Sequence, residues 1–84
     1  MNKYLVTVIV PMLGVDFDMQ IPNNRKVGTL KKVILDFLKE RYNNVFQKAF
    51  DDVRLIDRYY GFEYDNDMYI KDSKIKNGTL LVVI

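Results

Sequence analysis

The two most continuously apolar stretches of this chain stand at opposite ends of it: Tyr4 to Met12, rich in Val and Ile around Thr7, and Thr79 to Ile84. β-Branched side chains suit the pleated surface of a sheet, and an unbroken run of them suits a strand with neighbours on both sides. Whatever lies between must leave the sheet and come back to it. Leu13-Gly14 reads as a short turn, and Val15-Asp16-Phe17-Asp18-Met19-Gln20-Ile21 alternates apolar with polar, as a strand does when one face is buried and the other is wet. A turn centred on Leu13-Gly14 sets Val10 opposite Phe17, Val8 opposite Met19 and Val6 opposite Ile21, all on the core face.

Pro22 to Lys26 is loop by composition. Apolar side chains then recur at Val27, Leu30, Ile34, Phe37, Leu38 and Tyr42, the spacing of a helix lying on a sheet, with Thr29 as its expected cap and Asn43-Asn44 as an expected left-handed stop. Val45, Phe46, Ala49 and Phe50 predict a further short helical turn. Val53 to Ile56 reads as a third strand, Arg58-Tyr59-Tyr60-Gly61 as a turn, and Phe62 to Tyr64 as a short fourth strand ended by Asp65-Asn66-Asp67. Met68, Tyr69 and Ile70 return apolar groups to the core. Lys76-Asn77-Gly78 then turns the chain into the final strand.

The order is β-β-α-β-β-β: two hairpins around one main helix, with the last strand returning to the first. That is an α+β domain of β-grasp type, in which the first and last strands run parallel at the centre of a mixed sheet. Alternation along the last strand assigns Leu80, Val82 and Ile84 to the helix side, and Leu81 and Val83 to the other face.

Composition narrows the chemistry. Eighty-four residues accommodate one domain, 1–84, and 49% hydrophobic with 29% charged residues excludes wholesale disorder. Thirteen basic against eleven acidic side chains leave +2 with no basic block, which argues against a nucleic-acid partner. Without cysteine or histidine there is no thiolate, disulfide or imidazole chemistry, so no catalytic residue, metal or cofactor is expected. Lack of cysteine also fits a reducing cytoplasm. The opening MNKYLVTVIVPML differs from a secretory signal: it is β-branched, Pro11 interrupts it, and Val15-Asp16-Phe17-Asp18 follows where small residues should be. No run approaches the ~18 apolar residues of a membrane span, so membrane insertion is not expected.

Arg54-Leu55-Ile56, Gly61, Ile70, Asp72, Ile75 and Thr79-Leu80-Leu81-Val82 resemble the second half of ubiquitin in type and spacing. The whole chain is similar to the YukD/EsaB-type ubiquitin-like proteins of Gram-positive type VII (WXG100) secretion systems. The likeness lies in the Ile21-Pro22 close of the opening hairpin, the Leu-Ile-Asp strand, and the ending Ile75-Lys76-Asn77-Gly78-Thr79-Leu80-Leu81-Val82-Val83-Ile84. The resemblance implies a cytoplasmic, non-catalytic accessory or regulatory protein that acts through contacts with other proteins of the secretion machinery. Ubiquitin-type activation requires a terminal Gly-Gly tail, and no Gly-Gly occurs in these residues, so conjugation is not expected.

Three constellations invite chemistry. Asp65-Asn66-Asp67 with Asp72 has neither the glycine nor the glutamate of an EF-hand loop, Ile70 and Lys76 standing in those places, and reads as a polar turn. Asp16 and Asp18 follow from alternation on a solvated face without any acid–base role. Tyr59 and Tyr60 precede a glycine turn and cannot both be buried; exposed tyrosine is a good interface anchor. The sheet face away from the helix should be polar, yet Leu5, Ile9, Ile56, Leu81 and Val83 are all expected there, an apolar patch of the kind that marks an interaction surface. The candidate contact residues are therefore Leu5, Ile9, Ile56, Tyr59, Tyr60, Leu81 and Val83. They serve either a protein partner or, as the alternative, homodimerisation of a β-grasp adaptor of another system through the same patch or a free strand edge.

Overall fold

Strand β1 (Lys3–Val10) is flanked on both sides, by β2 (Val15–Pro22) antiparallel and by β4 (Leu80–Val83) parallel, in a computed structural model that describes residues 2–84. β3 (Leu55–Asp57) completes the sheet by pairing antiparallel with β4, giving the order β2-β1-β4-β3. Helix α1 (Val27–Arg41) crosses one face, and the core between them is built from Val6, Val8, Val10, Ile21, Leu30, Ile34, Leu38, Leu55, Leu81 and Val83, among others. This is the expected β-grasp, with the two apolar runs parallel at its centre. Of the expected fourth strand only a bridge between Glu63 and Ile56 remains, held by Asp57 N–H to the Phe62 carbonyl and Tyr64 N–H to the Leu55 carbonyl.

The first hairpin pairs two residues away from the expected register: Val8 faces Phe17, Val6 faces Met19 and Val10 faces Val15. Pro11–Leu13 winds into a 3₁₀ turn, and Gly14 closes it in the left-handed region at φ 65°, its N–H bonded to the Pro11 carbonyl at 3.0 Å. The connection thus takes four residues where two were counted. Because a shift of two preserves side-chain parity, the core face survives the error.

The last strand is different. Leu81 and Val83 are buried at 0% and 1% exposure, whereas Leu80 and Ile84 are 41% and 44% exposed, so its facing is the reverse of that expected. Parallel pairing sets Leu81 beside the core residue Val8 and Val82 beside Ile9. Thr79 belongs to the preceding turn, where it is buried and its Oγ1 accepts the Lys76 N–H. With every residue from Leu80 onward apolar, nothing within the run marks its parity.

Helix α1 starts without a side-chain cap, at Lys26 and not Thr29. The loop after the tyrosine-rich segment supplies the missing acceptors: Val27 N–H bonds the Met68 carbonyl at 2.8 Å and Gly28 N–H that of Asn66 at 2.9 Å. A Cβ on Gly28 would stand 3.1 Å from the Asn66 oxygen, which explains glycine at this close approach. The expected stripe is wider than drawn. Leu35 and Lys31 are also buried, the Lys31 ammonium lying 4.3 Å from the centre of the Phe50 ring. Phe37 is half exposed and packs on Phe17 with ring centres 5.0 Å apart. Helix α1 ends at Tyr42 without a left-handed residue, so Asn43-Asn44 is not the expected stop.

Candidate protein-interaction surface

The sheet face away from α1 follows from the registers. Ile9, Val82 and Ile56 lie side by side across β1, β4 and β3, with Asp16 of β2 beyond Ile9 and Glu63 bridging to Ile56. The next row runs Asp18, Thr7, Leu80, and the Thr7 hydroxyl donates to Asp18 Oδ1 at 2.7 Å. Leu5 extends β1 further and is half exposed. The result is an apolar strip of Ile9, Val82, Ile56 and Leu80, with Leu5 beyond Thr7, bordered by Asp16 and Asp18 on the β2 side and by Glu63, paired with Arg54, on the other. A sheet with one helix on one face has no internal reason to carry such a strip on the other.

Three expected contact residues, Leu5, Ile9 and Ile56, thus stand on this face. Leu81 and Val83 do not: they are core, for the reason of parity given above, and their places are taken by Leu80 and Val82, which the reversed facing missed.

Tyr59 and Tyr60 are the two most exposed of the large hydrophobic side chains among the described residues, at 82% and 68%, and meet edge to face with centres 4.7 Å apart. Their backbone is nevertheless fixed. The buried carboxylate of Asp57, at the end of β3, accepts the N–H groups of Tyr59 (2.9 Å) and Tyr60 (2.7 Å) on Oδ1 and the Tyr64 hydroxyl (2.6 Å) on Oδ2. The stack continues through Phe62 to Tyr64, the latter buried. Burial alone would raise the Asp57 pKa, but the hydrogen bonds from Tyr64, Tyr60 and Tyr59 outweigh it and hold the carboxyl below its ordinary value. Burial, then the bond and negative charge of Asp57, push the Tyr64 phenol well above its ordinary range. Sequence reading took Asp57 only as part of a strand; an Asp just before a turn of unpaired N–H groups was the available signal.

The other acidic constellations have structural work of their own. Asp65 Oδ1 accepts the Asp67 N–H at 2.9 Å, shaping the turn whose carbonyls meet the start of α1. Among the described residues, no helix is long and apolar enough to cross a membrane.

No family model matches the chain, and no curated protein matches its sequence. Solved structures do. A chain of the MycP5-free ESX-5 inner membrane complex superposes with a TM-score of 0.78 at 13% identity over all of this chain. This chain spans only 21% of that one. Ubiquitin of Caldiarchaeum subterraneum gives 0.75 at 13% identity, covering 96% of this chain and 90% of the other. The ubiquitin-like domain of an Arabidopsis thaliana protein gives 0.63 at 21% identity, covering 100% and 78%. The fold is ubiquitin-like. At these identities the likeness is one of fold, and function must be argued from the surface.

Proposed function

We propose that this chain is a non-catalytic, cytoplasmic protein-interaction module that serves a type VII secretion system as an accessory or regulatory component, in the manner of the YukD/EsaB-type proteins. The observation that carries the interaction reading is the apolar strip Leu5, Ile9, Ile56, Leu80 and Val82 on the uncovered sheet face, with the anchored pair Tyr59-Tyr60 at one end. The secretion reading is supported by the resemblance of the opening hairpin and the ending, and by the fold shared with a chain of the ESX-5 inner membrane complex. The module binds and carries no reaction.

The test is genetic and physical together. Deleting the gene should abolish or strongly reduce export of WXG100 substrates, and wild-type protein should restore it. Val82→Asp should fold yet fail to restore it, because a charge is placed at the centre of the docking strip. Undiminished export in the deletion strain would refute the secretion role, and full rescue by Val82→Asp would refute the docking face.

A further inference from the structure

We propose that the groove beside the tyrosine turn seats an acidic segment of the partner protein. This rests on the outer face being the docking surface, and adds the chemistry of what reaches one end of it. The groove, of about 340 Å³, runs between the Tyr59-Tyr60 turn and the stretch from Lys74 to Gly78, with Leu80 of the apolar strip in its wall.

Its charge is one-sided. Lys74 and Lys76 line it and are exposed, and the ion pairs among the described residues, Lys32 with Asp36 and Arg54 with Glu63, involve neither. The only carboxylate in the lining is that of Asp57, whose oxygens are both engaged by Tyr59, Tyr60 and Tyr64. Two unpaired ammonium groups therefore set the potential inside a concave site. The backbone N–H groups of Tyr59 and Tyr60 are held by Asp57, and the Tyr60 ring packs between those of Tyr59 and Phe62, before any ligand arrives, which lowers the ordering cost of binding. Glutamate or aspartate carboxylates on the partner meet Lys74 and Lys76, while an intervening apolar side chain packs on Tyr60 and Leu80. The far border of the same face carries Asp16 and Asp18, so an acidic segment is repelled from β2 and drawn to the groove. The face thus orients its partner as well as holding it.

The experiment follows backbone amide NMR signals of the full chain on addition of a capped peptide alternating glutamate with leucine. The glutamine and lysine counterparts and a short oligothymidylate serve as comparisons. The glutamate peptide should shift Tyr59, Tyr60, Lys76 and Leu80, and should weaken several-fold between about 50 and about 300 mM salt. Lys74→Glu combined with Lys76→Glu should weaken it by about tenfold or more with the unfolding midpoint unchanged. Absence of groove-centred shifts, equal binding of the glutamine or lysine peptide, or tighter binding of the oligothymidylate would overturn the proposal. So would a self-association that the double variant abolishes, since the occupant would then be a second copy. Export separates this proposal from the reading beneath it: if Val82→Asp fails to restore secretion and the lysine double variant restores it fully, the docking face stands and the acidic segment falls.

Discussion

The hydroxyl of Tyr64 donates a 2.6 Å hydrogen bond to Oδ2 of Asp57, and both side chains are buried. The pair joins the end of β3 to the turn that displays Tyr59 and Tyr60. Tyr64→Phe leaves a buried carboxylate oxygen without its donor and should destabilise the domain by about 1–3 kcal/mol in urea denaturation. Asp57→Ala should be worse for binding than for folding. It frees the Tyr59 and Tyr60 amides together with the Tyr64 hydroxyl, and the loss of order at the turn will register as changed amide signals centred on Tyr59 through Tyr64.

The same pair makes a prediction about pH. The native Asp57 pKa lies below the unfolded value, so its contribution is fully present above the ordinary carboxylate range near ~3.9 and is lost as pH falls through the depressed native value. The native Tyr64 pKa lies above the unfolded value, so its contribution is present below about 10 and is lost as pH rises beyond that. Asp57→Asn removes the first dependence: stability measured by denaturation between about pH 5 and pH 3 should fall less steeply in the variant than in the parent. Equal slopes would show that Asp57 does not contribute to acid sensitivity.

Parity along β4 separates neighbours sharply. Leu81→Asp or Val83→Asp places a charge in the core beside Val8 or Leu55 and should unfold the domain at room temperature, a loss exceeding about 4 kcal/mol. Val82→Asp and Ile56→Asp, one residue away on the other face, should retain the far-ultraviolet circular dichroism of the parent. Unfolding in both sets would contradict the facing derived from the β1–β4 register.

The Arg54–Glu63 pair, at 3.0 Å, should contribute little, since both side chains are about half exposed and water screens them. Glu63→Gln is expected to shift stability by less than ~1 kcal/mol. Gly78→Ala should cost about 1 kcal/mol for a different reason: φ there is 87°, and a Cβ meets no atom within 4 Å, so the penalty is conformational alone. Urea midpoints of the two variants should therefore order as glutamine above alanine.

These outcomes also show which features the sequence expressed. Strand β2 alternates polar with apolar, so its faces could be assigned even though the turn was miscounted. In β4 every residue is apolar, and its parity depends on how many residues the Asn77-Gly78 turn consumes, a tertiary matter settled by Asn77 Oδ1 accepting the Leu5 N–H and by Gly78 N–H meeting the Leu5 carbonyl. Leu5, Ile9 and Ile56 were legible as surface because their strands contain polar or core neighbours of known facing, whereas Leu80 and Val82 were not. Asp57 was hidden for another reason: its partners Tyr59, Tyr60 and Tyr64 lie close in sequence, but only the folded turn shows that all three donate to one carboxylate.

The parallel pairing of β1 with β4 has a consequence for how the chain reaches this state. Residues 3–10 can close a hairpin with residues 15–22 early, since that loop is short, but the slot beside β1 is filled only by residues 80–83. During synthesis the amides of Leu5, Thr7 and Ile9 wait with no partner on that side until residues 77–83 have left the ribosome. Such late, long-range closure slows folding and leaves an apolar sheet edge open to other chains in the interval.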